Sequence, residues 1–493
     1  MNQKPARTRF APSPTGRMHL GSARTALYAY LLAHRTGGTF ILRIEDTDQK
    51  RLVRGSEQEL IDGLRWLGLE YDEGPDIGGP HGPYRQTERR EIYNEYAWKL
   101  VELGHAFPCF CTQERLTMVR QEQLKNKQNP RYDGTCRNLD PEAARRRAQA
   151  GEPHVIRFKM PKEDSITTKD LLRGEIVTMN SALDDSVLLK SDGLPTYHLA
   201  AMVDDHLMEI THVIRSSEWL PSLPLHAHIL RAYGWEEPEF VHLSIFLKPS
   251  GKGKMSKREG TQAIKDGHSF FVGDMKDLGY IPEGVLNWIV LMGWGVSEED
   301  VMSLDEMIAR FDVNSLTPSP AAINYSKLDF FNATHIRRLD SEDLAARIKP
   351  YFIKENLEVD NDTLLKVIPL IRERLITLDD CLPFAAWFFR ETVEPKPEEL
   401  VAKGLSAKQS AEIARQAYTI LAALPAITHD QAEAPMRGLV EKLGLSPNQV
   451  FGILRVAVTG QTVSPPLFES MEVVGKEKVL IRIKTAIEIL EKM

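Results

Sequence analysis

The chain has 493 residues, 42% of them hydrophobic and 27% charged, with a formal net charge of −7. That length allows roughly three or four domains, and the mixture suits a folded protein with several cores. An acidic balance excludes nucleic-acid binding through bulk charge, although phosphates can still be gripped locally, and four cysteines make no disulfide framework. In chain order, "MNQKPARTRFAPSPTG" has no apolar signal core. "TRF" predicts a strand, "APSPTGRMHLGS" a Pro/Gly-rich loop, and "ARTALYAYLLAHR" a helix. Ser22 is its expected N-cap, Ala26, Leu27, Tyr30 and Leu31 form one apolar face, and Gly37 and Gly38 stop it. "TFILRIEDTD" predicts a buried strand ending in acids. This opens a parallel α/β sheet, whose ligands bind at the carboxyl ends of the strands.

From about Glu91 to Thr196 the pattern changes to clustered cysteines, a basic run "EAARRRAQAGE" and short strand-like pieces, "HVIRFKM" and "SVLLKSDG". This segment reads as an insertion into the sheet domain. "YHLAAMVDDHLMEITHVIRSSEWL" returns to helix and strand, and "EFVHLSIFLK" leads into a lysine loop. The most apolar run, "GVLNWIVLMGWGV", is too short to span a bilayer. A cytoplasmic protein with no membrane contact is expected. Beyond residue 270 strand signals nearly vanish. Ile413, Ala417, Ile420 and Leu424 share one helical face, and Val479, Ile483, Ile487 and Leu490 another. Ser446, Pro447 and Gln449 make a capping box.

Two loops carry candidate chemistry. In "PSPTGRMHLGS" the amides and dipole of the following helix favour an anion. Gly21 lets a flat base or phosphate come close to the backbone, and His19 can donate to a phosphate oxygen. No G-x-x-x-x-G-K-[ST] pattern is present. In "KPSGKGKMSKREG", Lys248, Lys252, Lys254, Lys257 and Arg258 stand among flexible glycines. Such a run is either a solvated surface loop or a grip on a leaving polyphosphate, to which mobile lysines are suited.

Taken together, "HLGS" and "KMSKR" are similar to the paired signatures of class I aminoacyl-tRNA synthetases. "RFAPSPTG", "LRIEDTD", "YHLAAMVDDHLM", "VIRSSEWL", "ILRVAVTG" and "SPPLFE" narrow the resemblance to the bacterial glutamyl-tRNA synthetases, over essentially the whole chain. The class signature carries a second histidine where Ser22 stands, and the glutamyl branch commonly lacks it.

The resemblance implies an α/β fold: a Rossmann-like parallel-sheet catalytic domain (1–90 and 197–250) with an α+β acceptor-binding insertion (91–196). A stem-contact domain (251–332) would begin at the lysine loop, and helical anticodon-binding domains (333–380 and 381–493) would follow. It implies ATP-dependent attachment of glutamate to tRNA(Glu) through glutamyl-adenylate, with Mg2+ accompanying ATP, in a monomer. His19, Gly21, Lys254, Lys257 and Arg258 would handle the ATP phosphates, with Glu218 and Trp219 lining the ATP and substrate pocket. Arg9 and Arg215 would clamp carboxylates bidentately, with Tyr197 as a hydroxyl donor and Glu45 and Ser13 at the α-ammonium. An ion pair with Glu218 is the structural alternative for Arg215. Ala201 stands where the family usually has asparagine. Arg374, with Arg372 beside it, would read the anticodon, where arginines stack on or bond to unpaired bases.

Cys109, Cys111 and Cys136 resemble the family's zinc element, with Tyr132 or the position of Asn138 as the fourth ligand of a closed site. Zn2+ or three reduced cysteines are the two readings. A glutaminyl-tRNA synthetase would need a β-barrel anticodon domain, and a relative that glutamylates a tRNA base would lack the anticodon region. A silent RNA-binding protein would not need His19, Lys254 and Lys257.

Overall fold

Four strands build the central sheet: β1 (Arg7–Phe10), β2 (Thr39–Leu42), β8 (His212–Ser216) and β9 (Glu239–Leu243). They lie in the order β2-β1-β8-β9, all parallel, with Phe10 beside Leu42 and Ser216 beside Leu243. The computed structural model describes residues 4–255, 267–295, 297 and 300–493. These fall into two compact units, 1–277 with 285–327, and 278–284 with 328–493.

Helix α1 (Leu20–Thr36) connects β1 to β2. Its N-cap is His19, not Ser22: the imidazole Nδ1 accepts the Ser22 amide at 3.2 Å, doing what a Ser or Asp side chain does there. Gly37, at φ 66°, ends the helix in the left-handed conformation. The expected single apolar face is too narrow. Arg24, Ala26, Leu27, Tyr28, Ala29 and Leu31 are all buried, because a second layer covers the side away from the sheet. There the Tyr28 hydroxyl donates to Val290 O at 3.0 Å and Arg24 to Met292 O at 2.8 Å.

Helices α2 (Ser56–Trp66) and α3 (Arg90–Glu102) lead into the segment read as an insertion. It holds an antiparallel sheet of β3 (Ala106–Cys109), β4 (Val155–Phe158) and β7 (Val187–Leu189), helices α4 (Gln113–Lys125) and α5 (Pro141–Gln149), and a hairpin. The basic run is α5, capped by Asp140. In the hairpin, β5 (Ser165–Asp170) and β6 (Gly174–Met179), alternation puts Ile166, Thr168 and Asp170 inward. Leu171 N donates to Phe240 O at 2.8 Å, tying the hairpin to β9. Helices α6 (Tyr197–Leu207) and α7 (Leu223–Tyr233) flank β8.

Beyond residue 270 the only strand among the described residues is Ala321–Ala322, paired with Phe246–Leu247. The second unit is helical, with a core that includes Phe352, Leu364, Val367, Leu421, Leu454 and Ile483. The capping box at Ser446 and Gln449 is present. On the helix Ala407–Ala423 the buried face runs through Ile413, Ala414, Ala417 and Leu421. Ile420 is only half-buried and Leu424 lies beyond the last turn, so the expected stripe is rotated by one residue.

Candidate active site

The carboxyl ends of β1 and β8 open into a cavity of about 620 Å³. Arg9, Ser13, Glu45, Tyr197 and Arg215 line it, and so do His19, Gly21, Glu218, Trp219 and Lys254. Ten residues expected at one site are therefore brought to one cavity from five separate stretches of chain. Lys257 and Arg258 lie outside the described residues.

Arg215 is the penultimate residue of β8 and is buried. Its Nε donates to His242 Nε2 at 2.9 Å, and one terminal nitrogen meets the Tyr197 hydroxyl at 3.0 Å and His226 Nδ1 at 3.1 Å. The other terminal nitrogen is buried with no hydrogen-bond partner. Glu218 does not pair with Arg215; it pairs with Lys254 at 2.5 Å, both side chains more than half exposed. Burial, then the charge of Arg215, pushes His226 well below the usual histidine range and His198 down to about 4. Arg215 is thus surrounded by uncharged acceptors. Burial also raises the Tyr197 phenol.

Arg9 is placed differently. Its Nε and a terminal nitrogen reach Asp205 at 3.0 and 3.4 Å, and the third nitrogen meets Ile214 O at 3.4 Å. Asp205 also takes Arg43 at 2.8 Å, while Arg43 reaches Glu45 at 3.1 Å and Asp204 at 3.8 Å. Arg89 completes the cluster at 2.8 Å from Asp204. Burial would push Asp205 up, but the guanidinium groups of Arg9 and Arg43 outweigh it and hold its carboxyl below the usual range. For Glu45 burial prevails over Arg43 and Arg9, and its carboxyl is raised. Ala201 is fully buried in α6.

The His19 ring, also lining the cavity, stacks on Phe270, centroids 5.5 Å apart. Because Nδ1 accepts the Ser22 amide, the ring proton sits on Nε2, which faces the Ser22 hydroxyl at 3.3 Å. Gly21 lies in the first turn of α1, where a Cβ would meet His19 Cε1 and Nδ1 at 3.1 Å. Trp219 packs against Tyr197, ring centroids 4.1 Å apart. Gly251 and Gly253 both take positive φ (73° and 77°) in the turn that returns Lys254 alongside Leu247.

In the insertion, Cys109, Cys111 and Cys136 bring their sulfurs within 4.8 Å of one another. The Tyr132 hydroxyl lies 3.4 Å from Cys109 Sγ and 3.9 Å from Cys111 Sγ, whereas Asn138 is exposed. Burial opposes ionisation of Cys109, but hydrogen bonds from Tyr132, the Cys111 amide and Arg157 prevail and lower its thiol. Cys111, half-buried beside Cys109, is pushed up to about 11 by desolvation and its neighbour's charge. In the second unit Arg374 is exposed, while Arg372 is tied to Ser341 Oγ at 2.9 Å.

Sequence reasoning missed Arg43, Asp204, Asp205 and Arg89, and the group behind Arg215, namely His242, His226, His198 and Asp170. One signal was available. Asp204 and Asp205 are adjacent acids in an apolar helix, and buried carboxylates need cationic partners.

A parallel sheet with a helix N-terminus, an exposed lysine and a buried arginine around one cavity is the arrangement expected of a class I aminoacyl-tRNA synthetase catalytic domain. The family described as "tRNA synthetases class I (E and Q), catalytic domain" matches residues 5–330, and "Anticodon binding domain" matches residues 343–487. The chain belongs to the glutamate–tRNA ligases of that class. It is 43% identical over 500 aligned residues to the glutamate–tRNA ligase of Roseiflexus castenholzii, covering 99% of this chain and 97% of the relative. It is 41% identical to that of Stutzerimonas stutzeri, covering 98% and 95%. A crystal structure of a glutamate tRNA ligase from Elizabethkingia meningosepticum in complex with its amino acid superposes with a TM-score of 0.89 at 37% identity, covering 98% of this chain and 99% of that one.

Proposed function

We propose that the chain joins glutamate to tRNA(Glu) in two steps. A carboxylate oxygen of glutamate attacks the α-phosphorus of ATP and pyrophosphate leaves. The terminal ribose hydroxyl of the tRNA then attacks the acyl carbon and AMP leaves. The observation that carries this reading is the pairing, in one cavity, of a buried arginine held by neutral partners with the amide-rich start of α1. Arg215, with Tyr197, binds a carboxylate, and Arg9 adds field from behind. Glu45, with Ser13 nearby, takes the α-ammonium, whose charge keeps the Glu45 carboxylate ionised despite burial. His19 and the α1 amides hold ATP, and Trp219 and Glu218 border the nucleotide. Lys254 exchanges its exposed bond to Glu218, which is worth little, for the leaving phosphates, joined by Lys257 and Arg258. Mg2+ accompanies ATP and screens its phosphates. Catalysis is positioning and charge stabilisation, with no protein nucleophile. Residues 333–493 read the anticodon, with Arg374 reaching the bases and Arg372 bracing the turn. A single chain carries every group invoked, which suits a monomer. Charging tRNA for translation suits the cytoplasm, and among the described residues no helix is long and apolar enough to cross a membrane.

The test is aminoacylation with labelled glutamate and ATP on purified tRNA(Glu) and tRNA(Gln). Charging of tRNA(Glu) alone supports a discriminating enzyme, and charging of both a non-discriminating one. Charging of neither by folded protein refutes the reading. A narrower prediction concerns Gly21→Ala, whose methyl must displace the His19 ring by a few tenths of an ångström. It should slow tRNA-dependent ATP–pyrophosphate exchange about tenfold while leaving KM for glutamate unchanged.

We also propose that Cys109, Cys111, Cys136 and Tyr132 hold a structural zinc ion. The Cys111–Cys136 sulfur separation of 3.7 Å matches the edge of a tetrahedron with zinc–sulfur bonds of about 2.3 Å. Burial and the neighbouring thiols oppose ionisation of Cys111, and a bound cation would supply the charge that makes it a thiolate. Purified protein should contain one equivalent of zinc, and Cys111→Ser should lose it. A metal-free protein with an intact insertion would leave the cluster as reduced thiols.

A further inference from the structure

The nitrogens of Arg215 are aimed by a chain of groups that starts in the insertion. Asp170 ends the inward face of β5 and is 1% exposed. One of its oxygens accepts both the backbone amide of His242, at 3.0 Å, and His242 Nδ1, at 2.8 Å. A carboxylate only accepts, so the His242 proton is on Nδ1, and Nε2 presents a lone pair. That lone pair is what Arg215 Nε–H meets at 2.9 Å. On the other flank Arg215 donates to His226 Nδ1, so His226 carries its proton on Nε2 and gives it to His198 Nδ1 at 3.0 Å. Each ring is therefore fixed in one tautomer by the next.

We propose that Asp170 and His242 are positioning residues for glutamate binding: they lock Arg215 Nε so that the guanidinium keeps its unpartnered nitrogen, and its uncompensated charge, for a substrate carboxylate. This deepens the function proposed above and rests on Arg215 being the carboxylate-binding group. The contrast with Arg9 supports it, since Arg9 bonds a carboxylate directly and its charge is already met. In the Asp170 chain a neutral ring stands between acid and arginine, transmitting orientation while leaving the charge. Burial favours the neutral state of His242.

The test is steady-state aminoacylation of tRNA(Glu) by the full chain, with separate KM values for glutamate and ATP and a melting temperature for every variant. His242→Leu removes the acceptor and should raise KM for glutamate about tenfold, as expected for losing a hydrogen bond to a charged group, with KM for ATP unmoved. His242→Gln can place an oxygen at the same point and should recover most of that loss. Should His242→Leu not fold, Asp170→Asn, which weakens the tautomer lock at nearly constant shape, should raise KM for glutamate about threefold or more. An unchanged KM for glutamate in these variants overturns the proposal. So does an equal rise for both substrates that His242→Gln does not reverse, which would mark a purely structural role. Arg215→Ala separates the two readings. If it too leaves KM for glutamate unchanged, the parent assignment fails. If it alone raises KM, only the positioning role fails.

Discussion

Arg215→Ala is expected to lower kcat/KM for glutamate about a thousandfold, since truncating one partner of a buried, hydrogen-bonded charge pair costs roughly 4 kcal/mol and each 1.4 kcal/mol is about tenfold. Arg215→Lys should recover less than about tenfold of this. An ammonium lacks the planar fork that reaches His242, Tyr197 and His226 while keeping a nitrogen for the ligand. The stability of Arg215→Ala should change little by comparison, because the partners it leaves are neutral and none is a stranded charge. Kinetics with glutamate as the varied substrate check the first claim and thermal melting the second. A variant retaining more than about a tenth of wild-type kcat/KM would remove Arg215 from the substrate's side.

Arg43→Met should have the opposite profile. Arg43 is completely buried among Asp205, Asp204 and Glu45, and none of its contacts is to solvent. Removing it leaves three carboxylates with only Arg9 and Arg89 to balance them, and should destabilise the first unit by about 3–5 kcal/mol. A lower melting temperature of that unit checks it, and Arg43→Met combined with Asp205→Leu should recover part of the loss. The pH dependence has a definite sign. In the wild type the Asp205 carboxyl lies below its ordinary value of 3.8, so its contribution is complete above that value and is lost as pH falls through the lower folded value. Without Arg43 the carboxyl rises, and the variant should lose that contribution at higher pH than the wild type.

The fold was legible where chemistry repeats locally. Strand–loop–helix–strand from Arg7 to Leu42, the stop at Gly37 and the capping box at Ser446 each depend on residues a few positions apart. The cavity-lining groups His19, Gly21, Glu45, Tyr197 and Arg215 were legible through the family resemblance, and the cavity gathers them. The groups that hold these in place were not. Arg43 finds Asp205 across 162 positions and His242 finds Asp170 across 72, and no period or motif in one sequence marks such pairs. His19 as N-cap was missed for another reason: a histidine seldom fills that place, and a serine stood three residues on.

The ionic cluster beneath the cavity has a further meaning. Arg9, Arg43 and Arg89 face Asp204, Asp205 and Glu45, three positive charges against three negative. That block sums to zero. Arg215 is different: its direct partners are uncharged, and the carboxylate behind it, Asp170, stands one histidine ring away. In the proposed binding mode the side-chain carboxylate of glutamate would meet that guanidinium directly, whereas the amide of glutamine, nearly the same size, would leave it desolvated with no counter-ion in contact.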